Sequence, residues 1–186
     1  MRKLIAHNFV TLDGVAVIEN VIGTIVELRD TPEVLDGFFA RVAEEDAMLL
    51  GRVTYQEWAE HWPTSTSQPF ADHINGVPKY VASRTLESAP WAAGDDAVVI
   101  GGDLVAEVTA LKQQPGGNIG VHGSPTLVEA LLHADLLDEL WLEVYPVIAG
   151  TGARLFKEGS GPKRLELADS KIASNGVVIL SYRSRS

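Results

Sequence analysis

The sequence predicts an α/β fold: a mixed, mostly parallel sheet flanked by helices, with an antiparallel C-terminal end. Three observations predict it. Up to about Ala134, short apolar runs alternate with segments whose apolar residues recur at helical spacing, the order that builds parallel strands joined by helices. Beyond Glu139 that alternation gives way to long strand-like stretches, the last two joined by Asn175-Gly176, a strong hairpin signal. Three of the apolar runs also end in small and hydroxyl residues, at Gly51-Arg52-Val53-Thr54, Ser83-Arg84-Thr85 and Gly123-Ser124-Pro125-Thr126, as strand-to-helix junctions do.

Taken in order, Lys3–Val10 reads as a first strand ended by the turn-like Asp13-Gly14. Val15–Asp30 is apolar and β-branched without clear periodicity, and reads as a long loop with a short strand at Gly23–Leu28. Thr31-Pro32-Glu33 starts a helix, Thr31 as cap and Pro32 at the first helical position. Val34, Leu35, Phe38, Phe39 and Val42 then carry its apolar face to about Glu45. Strand Ala47–Leu50 leads through Gly51 into an amphipathic helix at Thr54–Trp62. A polar loop at Pro63–Pro69 and a short helix at Phe70–Asn75 follow. Next come strand Lys79–Ala82, a loop holding Pro90 and Gly94, and strand Ala97–Ile100. A helix at Asp103–Gln113 is stopped by Gln114-Pro115-Gly116-Gly117. Strand Ile119–His122 enters a helix at Thr126–Ala134, and the strands Glu139–Ile148, Arg164–Ser174 and Val177–Tyr182 complete the chain.

Composition narrows the function classes. The 186 residues suffice for one well-filled core, so a single domain over residues 1–186 is expected. Hydrophobic residues make up 46% and charged residues 22%, an ordinary globular balance. No apolar run approaches the about 20 residues that span a bilayer. No signal peptide is expected, because Arg2 and Lys3 precede no long apolar stretch. Cysteine is absent, which excludes disulfides and thiolate metal sites and fits a reducing cytoplasm. A net charge of −10 argues against broad contact with nucleic acid.

The junctions carry the candidate chemistry. Helix N-termini present unpaired N–H groups and a positive dipole end. Three of them along neighbouring strands suit a long, multiply phosphorylated ligand such as a dinucleotide. At the first, Gly51 permits close approach, Arg52 offers a forked phosphate donor and Thr54 can cap a helix; a routine glycine turn weighs equally. At the second, Ser83, Arg84 and Thr85 suit the extra ribose phosphate that distinguishes NADP from NAD, against the rival reading of a polar turn. At the third, Ser124 and Pro125 mark a helix start, Thr126 and Glu129 fit a shifted capping box, and pyrophosphate binding at Gly123, Ser124 and Thr126 is a further step. No complete dinucleotide fingerprint, P-loop, serine elbow or zinc-binding helix motif is present, and no metal is expected. Among five scattered histidines, His122 at a strand mouth stands out, with a core or surface role the favoured reading for it. Asp13 is the best-placed single carboxylate, in competition with an ordinary turn role, and Trp62 beside Pro63 can wall a pocket.

In order and spacing, Thr11-Leu12-Asp13-Gly14, Leu49–Tyr55, Pro78–Leu86, Val121–Ser124 and the run from Asp138 through Pro146, Gly150, Gly152 and Phe156 resemble the dihydrofolate-reductase-like superfamily. The likeness is to its branch related to the reductase domain of bacterial riboflavin biosynthesis, and it runs from about Leu4 to Tyr182. It implies an NADPH-binding mixed sheet. The counterparts of Gly51, Arg52 and Thr54 approach the cofactor phosphates, those of Ser83, Arg84 and Thr85 surround the adenosine 2′-phosphate, and those of Gly123 and Ser124 support the pyrophosphate and nicotinamide. Two departures matter. Where true dihydrofolate reductases carry an acid on the first long helix, this chain has Leu35, with Asp36 rotated about 100° away. It also lacks room or zinc ligands for the deaminase domain usually joined to the riboflavin enzyme. The expectation is an NADPH-dependent reductase of an unidentified small molecule, pterin- or pyrimidine-like, with Asp13 as catalytic and substrate-binding candidate and Trp62 against the substrate. The alternative is a non-catalytic nucleotide-binding protein using the same cleft. A cytoplasmic homodimer is expected, pairing through Trp141, Leu142, Val144 and Tyr145.

Overall fold

β-branched and aliphatic runs build the centre of the sheet. A computed structural model of the chain describes residues 1–16, 21–92 and 96–184. Strands β1 (Leu4–Thr11), β2 (Glu45–Gly51), β3 (Lys79–Ala82), β4 (Val98–Ile100), β5 (Asn118–Val121), β6 (Glu139–Tyr145), β7 (Leu165–Ile172) and β8 (Val178–Ser184) form one eight-stranded sheet. Its order is β4-β3-β2-β5-β1-β6-β8-β7. All pairs from β4 to β6 are parallel; β6–β8 and β8–β7 are antiparallel. The expected mixed sheet with an antiparallel end is therefore present. Its last hairpin turns at Gly176, whose φ of 87° suits glycine.

Side-chain alternation along β1 sorts the two faces. Leu4, Ala6 and Val10 pack under α5 (Leu104–Gln113) and α6 (Pro125–His133), through Val108, Leu111, Leu127 and Leu131. His7 and Phe9 face the opposite layer. There α2 (Pro32–Val42) presents Val34, Phe38 and Val42 to Trp141, Tyr145 and Ile179. Further along that layer, Met48, Leu50 and Val81 pack with Tyr55 of α3 (Arg52–His61) and Ile74 of α4 (Phe70–Gly76). Lys112 pins the first layer to the sheet: its buried ammonium donates to the Leu136 carbonyl at 2.7 Å and to Asp138 at 2.6 Å. Asp138 in turn accepts from the Leu4 N–H.

The structure corrects several expectations. Residues 22–29, read as loop with a strand at Gly23–Leu28, form helix α1 (Ile22–Arg29). β-Branched composition favoured a strand, but tertiary contacts decide: Ile25 is buried in the α2 cluster, and Arg29 lies over the Phe38 ring at 4.1 Å and 3.6 Å from buried Glu143. Part of the Val15–Val26 segment falls outside the described residues. α2 ends at Val42, which frees Glu45 to open β2. β6 stops at Tyr145 because Pro146 has no N–H to continue the ladder. Ser83-Arg84-Thr85 enters no helix; the chain bends there. Trp141, Leu142 and Tyr145 are buried within the chain and Val144 packs against its core. The apolar surface on which pairing was argued is thus already covered.

Candidate active site

The parallel strands bring the junction residues to one edge of the sheet. Gly51 of β2 lies opposite Ala82 of β3, and Leu49 opposite Val121 of β5. The junctions after β2 and β5 are therefore neighbours, and the Gly51 N–H donates to the Gly123 carbonyl at 2.9 Å. Glycine is required at both. A Cβ on Gly51 would lie 2.5 Å from Ser124 Oγ and 2.9 Å from its nitrogen. Gly123 has a φ of 117°, and its Cβ would come 3.0 Å from Thr54 Oγ1. The Gly123–Ser124 peptide bond is cis.

Gly51 and Ser124 are the caps of α3 and α6, and neither helix receives a side-chain bond at its cap. Thr54 is no cap; it is the third residue of α3, next to Gly123. The shifted capping box is not formed either, since Thr126 Oγ1 accepts from Lys157 at 3.0 Å and Glu129 from Ser160. Two adjacent helix starts with uncapped N–H donors and a glycine-lined contact between them suit a phosphate-bearing ligand. Arg52 is exposed and bonds Gln56 at 2.7 Å. At the β3 end, the Ser83 hydroxyl closes a turn by accepting from Thr85 and Leu86 N–H groups at 3.2 and 3.1 Å. Arg84 and Thr85 stand exposed beside it. The donor set fits a dinucleotide phosphate chain.

Asp13 sits where β1 ends. Its carboxylate accepts from Thr11 Oγ1 at 2.6 Å and from the N–H groups of Ala149 and Gly150 at 3.0 and 2.9 Å. The Thr11 hydroxyl first, then the two amides, hold its pKa down to about 2. Asp13 thus ties β1 to the segment after β6, as a fixed anion with no proton to give near neutrality.

A second arrangement lies under α2, and the sequence showed only one member of it. Glu45, at the start of β2, reaches across Gly120 of β5, where a Cβ would collide with its carboxylate. Glu45 Oε2 is 2.8 Å from His122 Nε2 in a hydrogen bond, and Oε1 is 2.7 Å from His7 Nε2. The second contact is out of line: neither atom has an aligned partner among the described residues, nor do His7 Nδ1 and His73 Nε2. His73 Nε2 stands 4.0 Å from the carboxylate. The side chains of Glu45, His7 and His122 are 0%, 2% and 4% exposed. Burial alone would raise the Glu45 pKa; the charge and hydrogen bond of His122, with contacts from His7 and His73, outweigh it and hold the carboxyl well below its usual range. Burial keeps His7 below the ordinary imidazole value despite Glu45. Aromatic rings wall this cluster. His7 stacks on His122 at 5.1 Å, Trp58 lies 5.5 Å from His122, and Trp62 meets Phe70 edge-on at 5.0 Å. Trp62 thus belongs to the wall, at its half-exposed rim. The missed signals were a glutamate opening an apolar strand and a histidine on the core-facing side of β1.

A mixed sheet whose parallel strand ends carry two helix N-termini, beside a buried Glu–His cluster packed among aromatic rings, defines a dihydrofolate-reductase-like α/β fold. Residues 2–179 match the RibD C-terminal domain family, and the chain belongs to it. A Shewanella sp. PV-4 protein named for riboflavin biosynthesis superposes with a TM-score of 0.81 at 20% identity, over 99% of each chain. The Thermotoga maritima diaminohydroxyphosphoribosylaminopyrimidine deaminase/5-amino-6-(5-phosphoribosylamino)uracil reductase does so with a TM-score of 0.68 at 12% identity, over 99% of this chain and 57% of its own. Enterococcus faecalis dihydrofolate reductase, solved with NADP(H), gives 0.65 at 14% identity, over 99% and 97%.

Proposed function

We propose that this protein is an NADPH-dependent reductase of a small, flat nitrogen heterocycle, pyrimidine- or pterin-like. The observation that carries the reading is the Gly51–Gly123 contact, which sets the starts of α3 and α6 side by side with no room for a Cβ. Gly51, Arg52, Thr54, Gly123, Ser124 and Thr126 hold the phosphate chain, and Ser83, Arg84 and Thr85 the 2′-phosphate. With the Ser83 hydroxyl committed to its turn, Arg84 makes the main contact there. The bound cofactor supplies the hydride; the chain supplies orientation and a walled cleft. Trp62, Trp58 and Phe70 flank the substrate ring, and Asp13 holds the loops at the mouth. The likeness to a uracil reductase and to an NADP(H)-bound reductase supports both cofactor and substrate class. Asp36 is exposed on α2, which leaves that helix without the acid of folate reductases and argues against dihydrofolate. Calorimetric titration with NADPH and NADH, followed by NADPH oxidation against aminouracils and reduced pterins, tests the reading. Tight NADPH binding with turnover of one class supports it. Binding without turnover of any acceptor would favour a nucleotide-binding protein, and no binding would overturn both.

A further inference from the structure

We infer that His122 is the proton donor of this site and that Glu45 positions it, an assignment that rests on the reductase reading above. Hydride addition leaves the acceptor one proton short. The electrophilic carbon of a C=N or C=O group receives hydride from NADPH, the π pair moves to nitrogen or oxygen, and that atom needs a proton. Among the two candidate carboxylates, Asp13 is excluded by its bonds: three donors hold it ionised. The Glu45 carboxylate has no proton to share, so in the 2.8 Å contact His122 Nε2–H donates. That fixes the ring and leaves its other nitrogen for transfer. His122 immediately precedes Gly123, the residue that closes the cofactor junction. It is also the histidine of the cluster that shares a wall with Trp58 and Phe70. After transfer the neutral imidazole regains a proton from solvent, and Glu45 stays ionised throughout.

The other charged neighbours shape this pair. β1 contributes His7, α4 contributes His73 and α2 contributes Arg41, whose charge acts on His7. Trp58 of α3 and Trp141 of β6 face the cluster without titrating. His7, buried and kept neutral, stacks on His122 without adding a second charge. Among the described residues no group of three or more His, Asp or Glu can hold a metal ion, so an acid–base role suits the cluster better than a metal site.

The test begins without any acceptor. Imidazole ¹⁵N spectra of the NADP⁺-loaded protein, recorded from about pH 5 to about pH 9, should show His122 changing protonation state while His7 stays neutral. Glu45→Gln should change the His122 ring signals and leave those of His133 as they are. A His122 ring held in one neutral tautomer across the range overturns the assignment, whatever the protein reduces. The second stage uses whichever aminouracil or reduced pterin is turned over. His122→Gln should slow single-turnover hydride transfer about 100-fold, increasingly so at high pH, with NADPH affinity unchanged. Added imidazole should restore part of the rate to His122→Ala. Equal rates in His122→Gln and the parent would also overturn it. Absence of any acceptor defeats the reductase reading, while the spectra still report whether His122 can carry the proton.

Discussion

Under the proposed reading, Arg84 is the residue on which cofactor choice would turn. It is exposed at the end of β3, in a chain of net charge −10 that repels phosphate at long range. A forked guanidinium there would correct that field locally and suits a second phosphate group. Arg84→Ala should weaken NADPH by roughly 10- to 100-fold and NADH hardly at all, because a charge-assisted pair is worth about 1.5–3 kcal/mol. Equal losses for the two cofactors in calorimetry would remove Arg84 from the 2′-phosphate. Asp13 invites a different expectation. An asparagine oxygen at the Oδ1 position keeps the bonds from Thr11 and Ala149, but its Nδ2 cannot accept from the Gly150 N–H, so Asp13→Asn should loosen the tether between β1 and residues 149–150. The thermal midpoint should fall, and the pH dependence of hydride transfer should not move. A pH-rate limb lost in this variant would return Asp13 to proton chemistry.

Helix and strand ends carry the next set of consequences. The starts of α3 and α6 touch through glycine, and the atom that a Gly51 side chain would strike is backbone as well as hydroxyl. Gly51→Ala should therefore cost about 1–3 kcal/mol of stability and abolish NADPH binding in the protein that remains folded, measured by urea unfolding and titration. Retained affinity would show that the junction tolerates opening and is no phosphate cradle. α5 offers a control away from the site. Lys112→Ala removes a buried ammonium that bonds Leu136 and Asp138, and should cost about 3 kcal/mol while leaving cofactor affinity intact. Helix spacing made α2 and α6 legible, because Val34, Phe38 and Val42 or Leu127, Leu131 and their neighbours recur on one face. α1 was not legible. Its burial rests on Ile25, and its C-terminal Arg29 docks on Phe38 of the next helix and on Glu143, which is distant in sequence.

At the scale of the whole molecule, the buried cluster between the sheet and α2 makes stability pH-dependent. His7 has a lowered pKa in the folded protein, so the unfolded chain binds the extra proton first as pH falls below about 6.5. Glu45 is likewise lowered, and its contribution, full above about 4.5, is lost on further acidification. Both act in one direction: the unfolding midpoint should drop as pH falls from about 7 to about 4. His7→Phe, which fills much of the ring's space without titrating, should flatten the upper part of that slope. An unchanged slope would mean His7 is charged in the folded state. Pairing of two copies, expected from β6, would need another face, since Trp141 and Tyr145 already lie under α2.

Local chemistry was enough for the sequence to determine the order of the sheet's strands along the chain, the antiparallel end and the two glycine junctions after β2 and β5. Apolar periodicity, Pro32, Pro125, Asn175-Gly176 and the small residues after β2 and β5 each act within a few residues of where they stand. The tertiary structure alone decided which junction starts no helix, that α1 exists, and that Asp13 is an anion locked between two loops. It also assembled the buried cluster of Glu45 with three histidines. His7, Glu45, His73 and His122 are separated by up to 115 residues, and no spacing rule links them. They meet because the order β2-β5-β1 sets Glu45 and His7 on either side of Gly120, whose missing side chain leaves the space the carboxylate fills. Long-range pairing of parallel strands brings distant residues into contact, and a single sequence carries no local mark of it.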